Sequence, residues 1–395
     1  MKLHSVLLGI TLTMLMALHA STIDTLFPGI PDIRSEFAVG TGAGQLSMSA
    51  FVYAFAAVQL VYGPLSDRFG RRSVLLWSMS VFTLGAAMAV VADSFETLVA
   101  SRIIQGIGAG AAPAVARAVV RDIYGPERSG QVFSYIMAAF GIVAVANPIA
   151  GGVLTDWFGW RAIFVYMAAY GAIVVVLVWY RLVETLPARD PEERGRRRLL
   201  PNYGVLFTDR RFVAITVSTC CIHAAMFGWL SGSILVFIDS YGATPSLAGT
   251  LISVSLGGFI LGSMVAGRIS NRVGSLRLIG AGHLICLASA ALALVPAHAG
   301  VPSAPFTVLP VIVFMFGVGF VIPPGSAAAI APFPSMAGAA SSFLGFSQIT
   351  ASSTVILISG YLYDGTMRPV ALTMTVLAAL GLSVFFAWMR RQPAR

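Results

Sequence analysis

Two ionisable residues, Asp24 and Arg102, fall inside long apolar stretches of the chain. Asp24 lies in the run MLMALHASTIDTLFPGIP, whereas the other acidic residues all lie in or beside polar segments. A charge at the centre of a bilayer costs about 2.5–3.5 kcal/mol, so such groups are usually paired and functional. Burial favours a neutral carboxyl group and a nearby cation favours a charged one, so a balanced site can take up and release a proton. We therefore interpret Asp24 as a proton carrier.

Arg102 is interpreted as the fixed counter-charge of Asp24, because a guanidinium does not lose its proton. Gln105 lies one turn further along the same predicted helix face. A structural alternative exists for each charge. Asp24 would cap the helix break that Pro28 and Pro31 indicate or lie near the outer membrane interface, and Arg102 would hold Asp24 or backbone carbonyls in place.

Polar and aromatic residues in other apolar segments are candidates for lining a substrate cavity. We assign Tyr53, Gln105, His223 and Phe227 to this group. For His223 the alternative is a buried, hydrogen-bonded histidine without contact to a substrate. His19 lies five residues from Asp24, which places the two on different helix faces.

The composition requires a membrane. The chain is 57% hydrophobic and 10% charged, whereas soluble domains carry about 25% charged residues. Its apolar runs have the length of membrane-spanning helices, which excludes a barrel of short alternating strands. Three cysteines lie in apolar runs without metal-ligand spacing and are expected to be small buried side chains: Cys220, Cys221 and Cys286.

Counting apolar runs predicts an all-α membrane protein with twelve spans. They lie near residues 5–27, 45–63, 73–92, 96–119, 131–154, 161–180, 211–235, 247–266, 277–296, 306–328, 339–362 and 369–389. With the N-terminus inside, the 25 Lys and Arg residues fall on the cytoplasmic side with four exceptions, Arg34, Arg102, Arg161 and Arg368. The positive-inside rule therefore predicts cytoplasmic N- and C-termini. It also explains the net charge of +9 without nucleic-acid binding.

The chain divides into two halves of six spans. We predict an N-terminal six-helix bundle over 1–180, a cytoplasmic linker over 181–210 and a C-terminal six-helix bundle over 211–395. The segment GPLSDRFGRR follows the second span, and GRISNRVGSL follows the eighth. Their equivalent positions indicate an internal repeat, as in transporters built from two parallel halves.

The segment GPLSDRFGRR resembles the signature loop of the major facilitator superfamily. The stretches IDTLFPGIP, SRIIQGIGAGAAPAVARAVVRDIY and NPIAGG are similar to the drug:proton antiporters of the bicyclomycin/chloramphenicol (Bcr/CflA) type. The sequence departs from that group at Asn147 and Val143, where glycine is usual, and at Leu26, where tyrosine is common.

The resemblance implies a major facilitator fold and roles for two motifs. The loop would form a conformational latch through Gly63, Asp67, Arg68, Gly70, Arg71 and Arg72, with Asp122 as a partner. Its alternative role is simple anchoring of positive charge inside. The fifth-span motif would act as a hinge through Pro148, Gly151 and Gly152, for which generic helix packing is the alternative.

We expect a secondary active transporter of the bacterial inner membrane that exports drug-like or other amphiphilic small molecules in exchange for protons. It would be a monomer and would use the proton gradient with no cofactor, since the sequence lacks phosphate-loop and metal-cluster motifs. The nearest alternatives are a proton symporter or an exporter of an endogenous metabolite on the same fold. A non-transporting receptor or scaffold is a weaker alternative. The sequence names no enzymatic motif.

Overall fold

The computed structural model describes residues 3–185, 204–299 and 304–390, which are almost entirely helical. Its α-helices are α1 (Leu3–Asp24), α2 (Ile30–Glu36), α3 (Thr41–Phe69), α4 (Arg71–Val90), α5 (Phe95–Ala109), α6 (Ala111–Phe158), α7 (Arg161–Arg181), α8 (Gly204–Thr208), α9 (Arg210–Leu235), α10 (Pro245–Val273), α11 (Ser275–Ala299), α12 (Ala304–Ile330), α13 (Ala337–Leu362) and α14 (Arg368–Met389). Within these ranges, twelve helical stretches are long and apolar enough to cross a bilayer, which confirms the predicted number. Most of the predicted linker, residues 186–203, lies outside the described residues.

Several helices begin at residues that satisfy their free backbone N–H groups. The side chain of Ser94 accepts a hydrogen bond from Thr97 N at the start of α5. Asp209 accepts one from Phe212 N at 2.7 Å at the start of α9. Thr244 caps α10, whose first residue is Pro245. These are the residue types that helix N-termini favour, because a short side-chain oxygen can reach the exposed N–H groups of the first turn.

The first span is longer than the sequence predicts. The sequence indicates an end near residue 27, but the chain passes through a 3-10 turn at Phe27–Gly29 and then resumes as α2. The whole candidate span covers Val6–Glu36. Proline lacks a backbone N–H and disfavours a helical residue before it, so Pro28 breaks the helix locally without ending the span.

Two other helical stretches depart from regular geometry. The 48-residue α6 joins parts of the fourth and fifth spans, and its backbone leaves helical angles at Gly125, where φ is 68°. After α9 the chain continues as a π-helical turn over Val236–Ser240. This turn carries the seventh span about one turn beyond its predicted end and includes Asp239.

Helix packing groups the chain into two compact units. The first unit comprises the described residues of Met1–Gly29 and Ala50–Pro201, and the second those of Ile30–Ser49 and Asn202–Arg395. In the first unit α1 packs on α6 and α7, and α4 packs on α5 and α7. In the second unit α9 packs on α12, α13 and α14, and α12 also packs on α10 and α11.

The helices of both units are apolar on their outer as well as their inner faces. Phe82 and Phe164 are buried in the first unit, while Trp77 and Leu84 are more than half exposed on the same unit. An exposed apolar surface of this kind is what a helix presents to lipid, and soluble helices avoid it.

The predicted internal repeat has a structural counterpart. Gly70 lies between α3 and α4 with φ 95°, and Gly274 lies between α10 and α11 with φ 86°. Residues other than glycine rarely adopt this left-handed backbone conformation. The two glycines that align in sequence therefore make the same kind of tight turn in both units.

Candidate functional site

Asp24 is the last residue of α1 and is 6% exposed. Among the described residues it forms no hydrogen bond and no salt bridge. The free groups at the C-terminal end of a helix are carbonyls, which a carboxylate cannot satisfy, so capping of α1 does not account for this residue. Burial of an unpaired carboxyl group is costly and is characteristic of functional sites.

The backbone beside Asp24 packs directly against α6. A β-carbon on Gly151 would overlap the carbonyl oxygen of Thr25. Asn147 lies one turn before Gly151 on the same helix face and is 3% exposed. Within the described residues, the hydroxyl of Thr25 and the side-chain nitrogen of Asn147 are buried without hydrogen-bond partners. This part of the first unit therefore contains several polar groups that the protein itself does not satisfy.

The predicted hinge residues lie in a helical stretch of α6. Helical backbone angles continue through Pro148, Gly151 and Gly152, and within α6 the break is at Gly125. Gly151 provides a close approach of α6 to the chain next to Asp24. The hinge role stays a prediction.

Arg102 is fully buried in α5. Its guanidinium donates a hydrogen bond to the side-chain oxygen of Gln105. It also lies over the rings of Phe51 and Phe164, with Cζ 4.5 Å and 5.7 Å from the two ring centroids. Gln105 is likewise fully buried, and its amide nitrogen points at the sulfur of Met167 at 3.4 Å. Aromatic faces and an amide oxygen are suitable surroundings for a desolvated guanidinium.

The two predicted charges do not form a salt bridge with each other in the described structure. Arg102 is accommodated by its own set of polar and aromatic neighbours, and Asp24 stands apart from them. Any influence of Arg102 on Asp24 therefore acts without direct contact in this conformation.

The predicted loop motif is mostly helical, since it covers the end of α3 and the start of α4, and it forms a compact charge cluster around Arg71. Its guanidinium contacts Asp67 Oδ1 at 2.6 Å and Asp122 Oδ2 at 3.2 Å. It also donates to the hydroxyl of Ser66 at 2.5 Å. Arg71 is buried, whereas the side chains of its partners Asp67 and Asp122 are 40% and 9% exposed, so the ion-pair network extends from a buried guanidinium to solvent. The expected contact between Asp122 and the loop is present.

Glu184, which the sequence did not single out, completes the turn at Gly70. It accepts hydrogen bonds from the backbone N–H groups of Arg71 at 2.8 Å and Arg72 at 3.2 Å. Gly70 is the N-cap of α4 and has no side chain with which to cap it, so Glu184 supplies the missing acceptor. A cavity of about 550 Å³ lies beside this contact and is lined by Arg68, Arg72, Trp179 and Glu184, among others.

The remaining cavity candidates lie in both units. Tyr53 is partly exposed in α3 of the first unit. In the second unit the ring of His223 stands 5.0 Å from that of Phe227. The imidazole Nδ1 lies 2.6 Å from the hydroxyl oxygen of Ser352. Gln105 is fully buried and lines no open surface in this conformation.

A polar cluster at the ends of two spans was also missed by the sequence reading. Arg34 in α2 forms a 2.7 Å salt bridge with Asp239. Tyr363 donates a hydrogen bond to the same carboxylate at 3.1 Å, and Arg34 lies over the tyrosine ring at 5.9 Å. Burial raises the pKa of Tyr363, so the hydroxyl keeps its proton and acts as a donor. The sequence held one signal for this contact: Arg34 and Asp239 have opposite charges and lie at equivalent ends of the first and seventh spans.

The described part of the chain contains neither a disulfide bond nor a cluster of metal-binding side chains. Cys220, Cys221 and Cys286 are buried and unbridged, which confirms their predicted role as small core side chains. No three His, Cys, Asp or Glu side chains within it converge in a way that could hold a metal ion.

The family model for the Major Facilitator Superfamily matches residues 12–348 of the sequence. The chain belongs to the major facilitator superfamily. It is therefore a multi-pass membrane transporter and not an enzyme.

Curated members of the superfamily are similar over almost the whole chain. An uncharacterised MFS-type transporter, YdgK, of Bacillus subtilis is 29% identical over 96% of this chain and 94% of its own length. Multidrug resistance protein D of Escherichia coli is 27% identical over 98% of this chain and 96% of its own length. The bicyclomycin resistance protein homolog of Haemophilus influenzae is 24% identical over 95% of this chain and 94% of its own length. These relatives agree with the predicted Bcr/CflA-type resemblance.

Solved major facilitator structures share the fold. The bacterial homologue of the human lysosomal transporter Spinster superposes with a TM-score of 0.79 at 15% identity, with both chains fully covered. A peptide transporter superposes with a TM-score of 0.77 at 15% identity over 97% of this chain and 93% of its own. The predicted fold class is thereby confirmed.

Proposed function

We propose that this major facilitator protein is a proton-coupled exporter of drug-like amphiphilic molecules in the bacterial inner membrane. The observation that carries the proposal is Asp24, a carboxyl group 6% exposed and without a hydrogen-bond or ion-pair partner among the described residues. A structural carboxylate in an apolar span would be paired, because the unpaired charge is costly there. A group that must gain and lose a proton in every cycle cannot be tied to a permanent partner.

Alternating access would couple the proton to the substrate. Asp24 would be protonated from outside and would release the proton inward as substrate binds, and export would return the protein to the outward-open state. Both termini would lie in the cytoplasm, and one chain would transport as a monomer. The energy source would be the proton gradient, with no cofactor. The names of the Escherichia coli and Haemophilus influenzae relatives support drug-like substrates.

Substitution of Asp24 tests proton coupling directly. Asp24→Asn has nearly the same size but cannot exchange a proton, so we expect it to abolish energy-dependent efflux at unchanged protein abundance. Asp24→Glu, which keeps the carboxyl group, should retain measurable efflux. Efflux should be followed in a host that lacks other exporters, with and without a protonophore. Full efflux by Asp24→Asn would remove this residue from the mechanism.

The direction of proton movement separates export by exchange from symport. In inside-out vesicles with an acidic lumen, adding an exchanged substrate should make the lumen more alkaline as protons leave. A symporter would not use the outward proton gradient to accumulate the substrate in this way. Luminal acidification on adding substrate would favour symport, and no proton flux with any transported compound would favour a metabolite carrier without proton coupling.

A further inference from the structure

The first span is enclosed from residue 17 to residue 30, with one exception. Every residue in this stretch is buried apart from His19, which is partly exposed. Leu15, Thr22 and Ile23 lie one turn to either side of His19 on the same helix face, and all three are buried. A lipid-facing surface would expose several of these neighbours together, so the accessible space at His19 is local and lies inside the protein.

The imidazole of His19 has no hydrogen-bond partner among the described residues. Neither of its nitrogens belongs to the fully buried unpaired atoms of the described chain, so both keep some accessible surface. A neutral imidazole has one N–H donor and one acceptor nitrogen. A polar ring that the protein leaves unpaired inside a span is costly, and it marks a place where a further molecule can bind.

A column of side chains from α3 and α5 holds the ring of His19. The imidazole stacks on Phe55 with centroids 4.9 Å apart and planes inclined by 25°. Phe55 in turn stacks on Phe51, with centroids 6.1 Å apart and planes inclined by 20°, and the guanidinium of Arg102 lies over Phe51. Phe51, Phe55 and Arg102 are at most 1% exposed, so the column has little freedom to move.

Close packing of α3 against α5 fixes the backbone of this column. A β-carbon on Gly106 would overlap the carbonyl oxygen of Phe51 and would lie 3.1 Å from the backbone nitrogen of Phe55. The stacked ring of His19 is therefore oriented before any ligand arrives. A binding group that is already in position loses less entropy when the ligand binds.

We propose that His19 is a substrate-contacting, specificity-determining residue and that Phe55 is the positioning residue that holds its ring. The substrate class is neutral amphiphiles with a hydroxyl group beside an apolar body. A hydroxyl can pair with either imidazole nitrogen, and the neighbouring Leu15, Ile23 and Phe55 are apolar. His19 lies about 7.5 Å from Asp24 along the axis of α1, which places the substrate within two helical turns of the proton carrier. This inference rests on the proposed export function and makes it more specific.

Nitrogen-15 NMR of histidine-labelled protein in nanodiscs tests the contact. The probe is chloramphenicol, a neutral amphiphile with two hydroxyl groups, and its binding is measured with radiolabelled compound. The His19 signal, assigned by its loss in His19→Gln, should shift when chloramphenicol binds, because a new hydrogen bond changes the shielding of the nitrogen. The signal of His283 should stay in place, since its Nδ1 already faces the carbonyl oxygen of Ile279 at 2.8 Å. Bound chloramphenicol that leaves the His19 signal unchanged would overturn the inference.

Variants of His19 separate the hydrogen bond from the ring. His19→Phe keeps a ring on Phe55 but cannot form the hydrogen bond, so chloramphenicol affinity should fall by roughly two- to tenfold. His19→Gln keeps a donor and an acceptor and should retain more affinity than His19→Phe. His298→Phe is the matched control, because His298 is exposed and its Nδ1 lies 2.9 Å from the carbonyl oxygen of Leu294 in its own helix. Wild-type affinity in His19→Phe would contradict the proposed contact, and the NMR experiment decides the matter if this variant does not accumulate.

Substitution of Phe55 tests the positioning step. Phe55→Leu removes the ring beneath the imidazole but keeps an apolar side chain, whereas Phe55→Tyr keeps the ring. In Phe55→Leu the proton signals of the His19 ring should move downfield, because the shielding by a stacked ring is lost, and chloramphenicol affinity should fall. Phe55→Tyr should preserve both properties. A lower affinity with unchanged His19 proton signals would show that Phe55 does not act through His19.

Export of a second compound, ethidium, separates failure of this inference from failure of the proposed function. If the wild type exports ethidium but does not bind chloramphenicol, the inference fails and the export function stands. If bound chloramphenicol shifts the His19 signal but neither compound is exported, the binding site stands and the export function fails.

Discussion

Arg102 and Asp24 are both buried charges in the first unit, but their surroundings are different. Arg102 has an amide oxygen and two aromatic rings around its guanidinium. Asp24 has no hydrogen-bonding partner in the described structure. A permanent cation needs fixed compensation, because removing it from water is costly. A proton carrier needs surroundings without a fixed partner, since such a partner would hold it in one protonation state.

The geometry around Arg102 makes a lysine an inadequate replacement. Arg102→Lys keeps the charge but loses the planar group that lies over Phe51 and bonds Gln105. We expect transport to fall by about tenfold or more and the protein to lose about 1.5–3 kcal/mol of stability, the range for hydrogen bonds to a charged group. Vesicle transport and thermal unfolding in detergent would measure both effects.

Arg181→Lys is the matched control, because Arg181 is the exposed last residue of α7. It should leave transport and stability unchanged. Wild-type transport by Arg102→Lys would mean that only the positive charge matters at this position.

At the scale of helices, close contact between α1 and α6 fixes the position of Asp24. Gly151→Ala puts a β-carbon onto the carbonyl oxygen of Thr25, and the two helices must separate. Such overpacking typically costs about 1–3 kcal/mol. We expect a lower melting temperature and reduced efflux, because the backbone next to Asp24 is displaced.

Gly9→Ala is the control for this substitution. Gly9 also lies in α1, and a β-carbon there would meet no atom within 4 Å. Alanine favours helix over glycine by roughly 1 kcal/mol, so Gly9→Ala should be neutral or slightly stabilising. Equal behaviour of the two variants would contradict the assigned α1–α6 contact.

The start of α4 depends on a residue distant in sequence. Glu184→Ala removes the acceptor for two backbone N–H groups, and by analogy with ordinary helix caps we expect a loss of about 1 kcal/mol. Thermal unfolding would detect it. Glu96→Ala provides the comparison, because Glu96 is an exposed residue in the first turn of α5 and should tolerate replacement. Equal melting temperatures for the two variants would argue against capping by Glu184.

Some of these features can be predicted from the sequence and others cannot. The twelve spans follow from apolar runs of helical length, and the partnership of Asp122 with the loop motif follows from the resemblance. The resumption of the helix after Pro28 was not predicted, because a proline break and a span end look alike in one sequence. The contacts of Glu184 and of Arg34 with Asp239 join residues more than 100 positions apart, and nothing in local periodicity encodes such pairs.

At the scale of the whole molecule, one segment of the first two spans packs away from its neighbours in sequence. Residues 30–49 belong to the second compact unit. Hydrogen bonds hold this segment there: Gln45 donates to the carbonyl oxygen of Ser231 at 3.2 Å, and Ser49 and Ser353 each donate to the carbonyl oxygen of the other. The segment is nevertheless continuous with α1 and α3. Any rearrangement that returned it to the first unit would have to break these bonds.

The salt bridge between Arg34 and Asp239 is the charged part of this attachment, and exchanging its charges tests it. Arg34→Asp and Asp239→Arg each place like charges together, so each should lower the melting temperature and change the transport rate. The double exchange should recover most of the loss, because the opposite charges face each other again. Since the side chains are 22% and 30% exposed, solvent screens the pair, and we expect a coupling energy of about 0.5–1 kcal/mol.

A double-mutant cycle of thermal unfolding and vesicle transport would supply the coupling energy at low and high salt. The coupling should weaken as salt increases, because the pair is partly exposed. Tyr363→Phe should reduce it further by removing the hydroxyl that donates to Asp239. Additive effects of the two single exchanges, with no recovery in the double variant, would show that the pair does not hold residues 30–49 to the second unit.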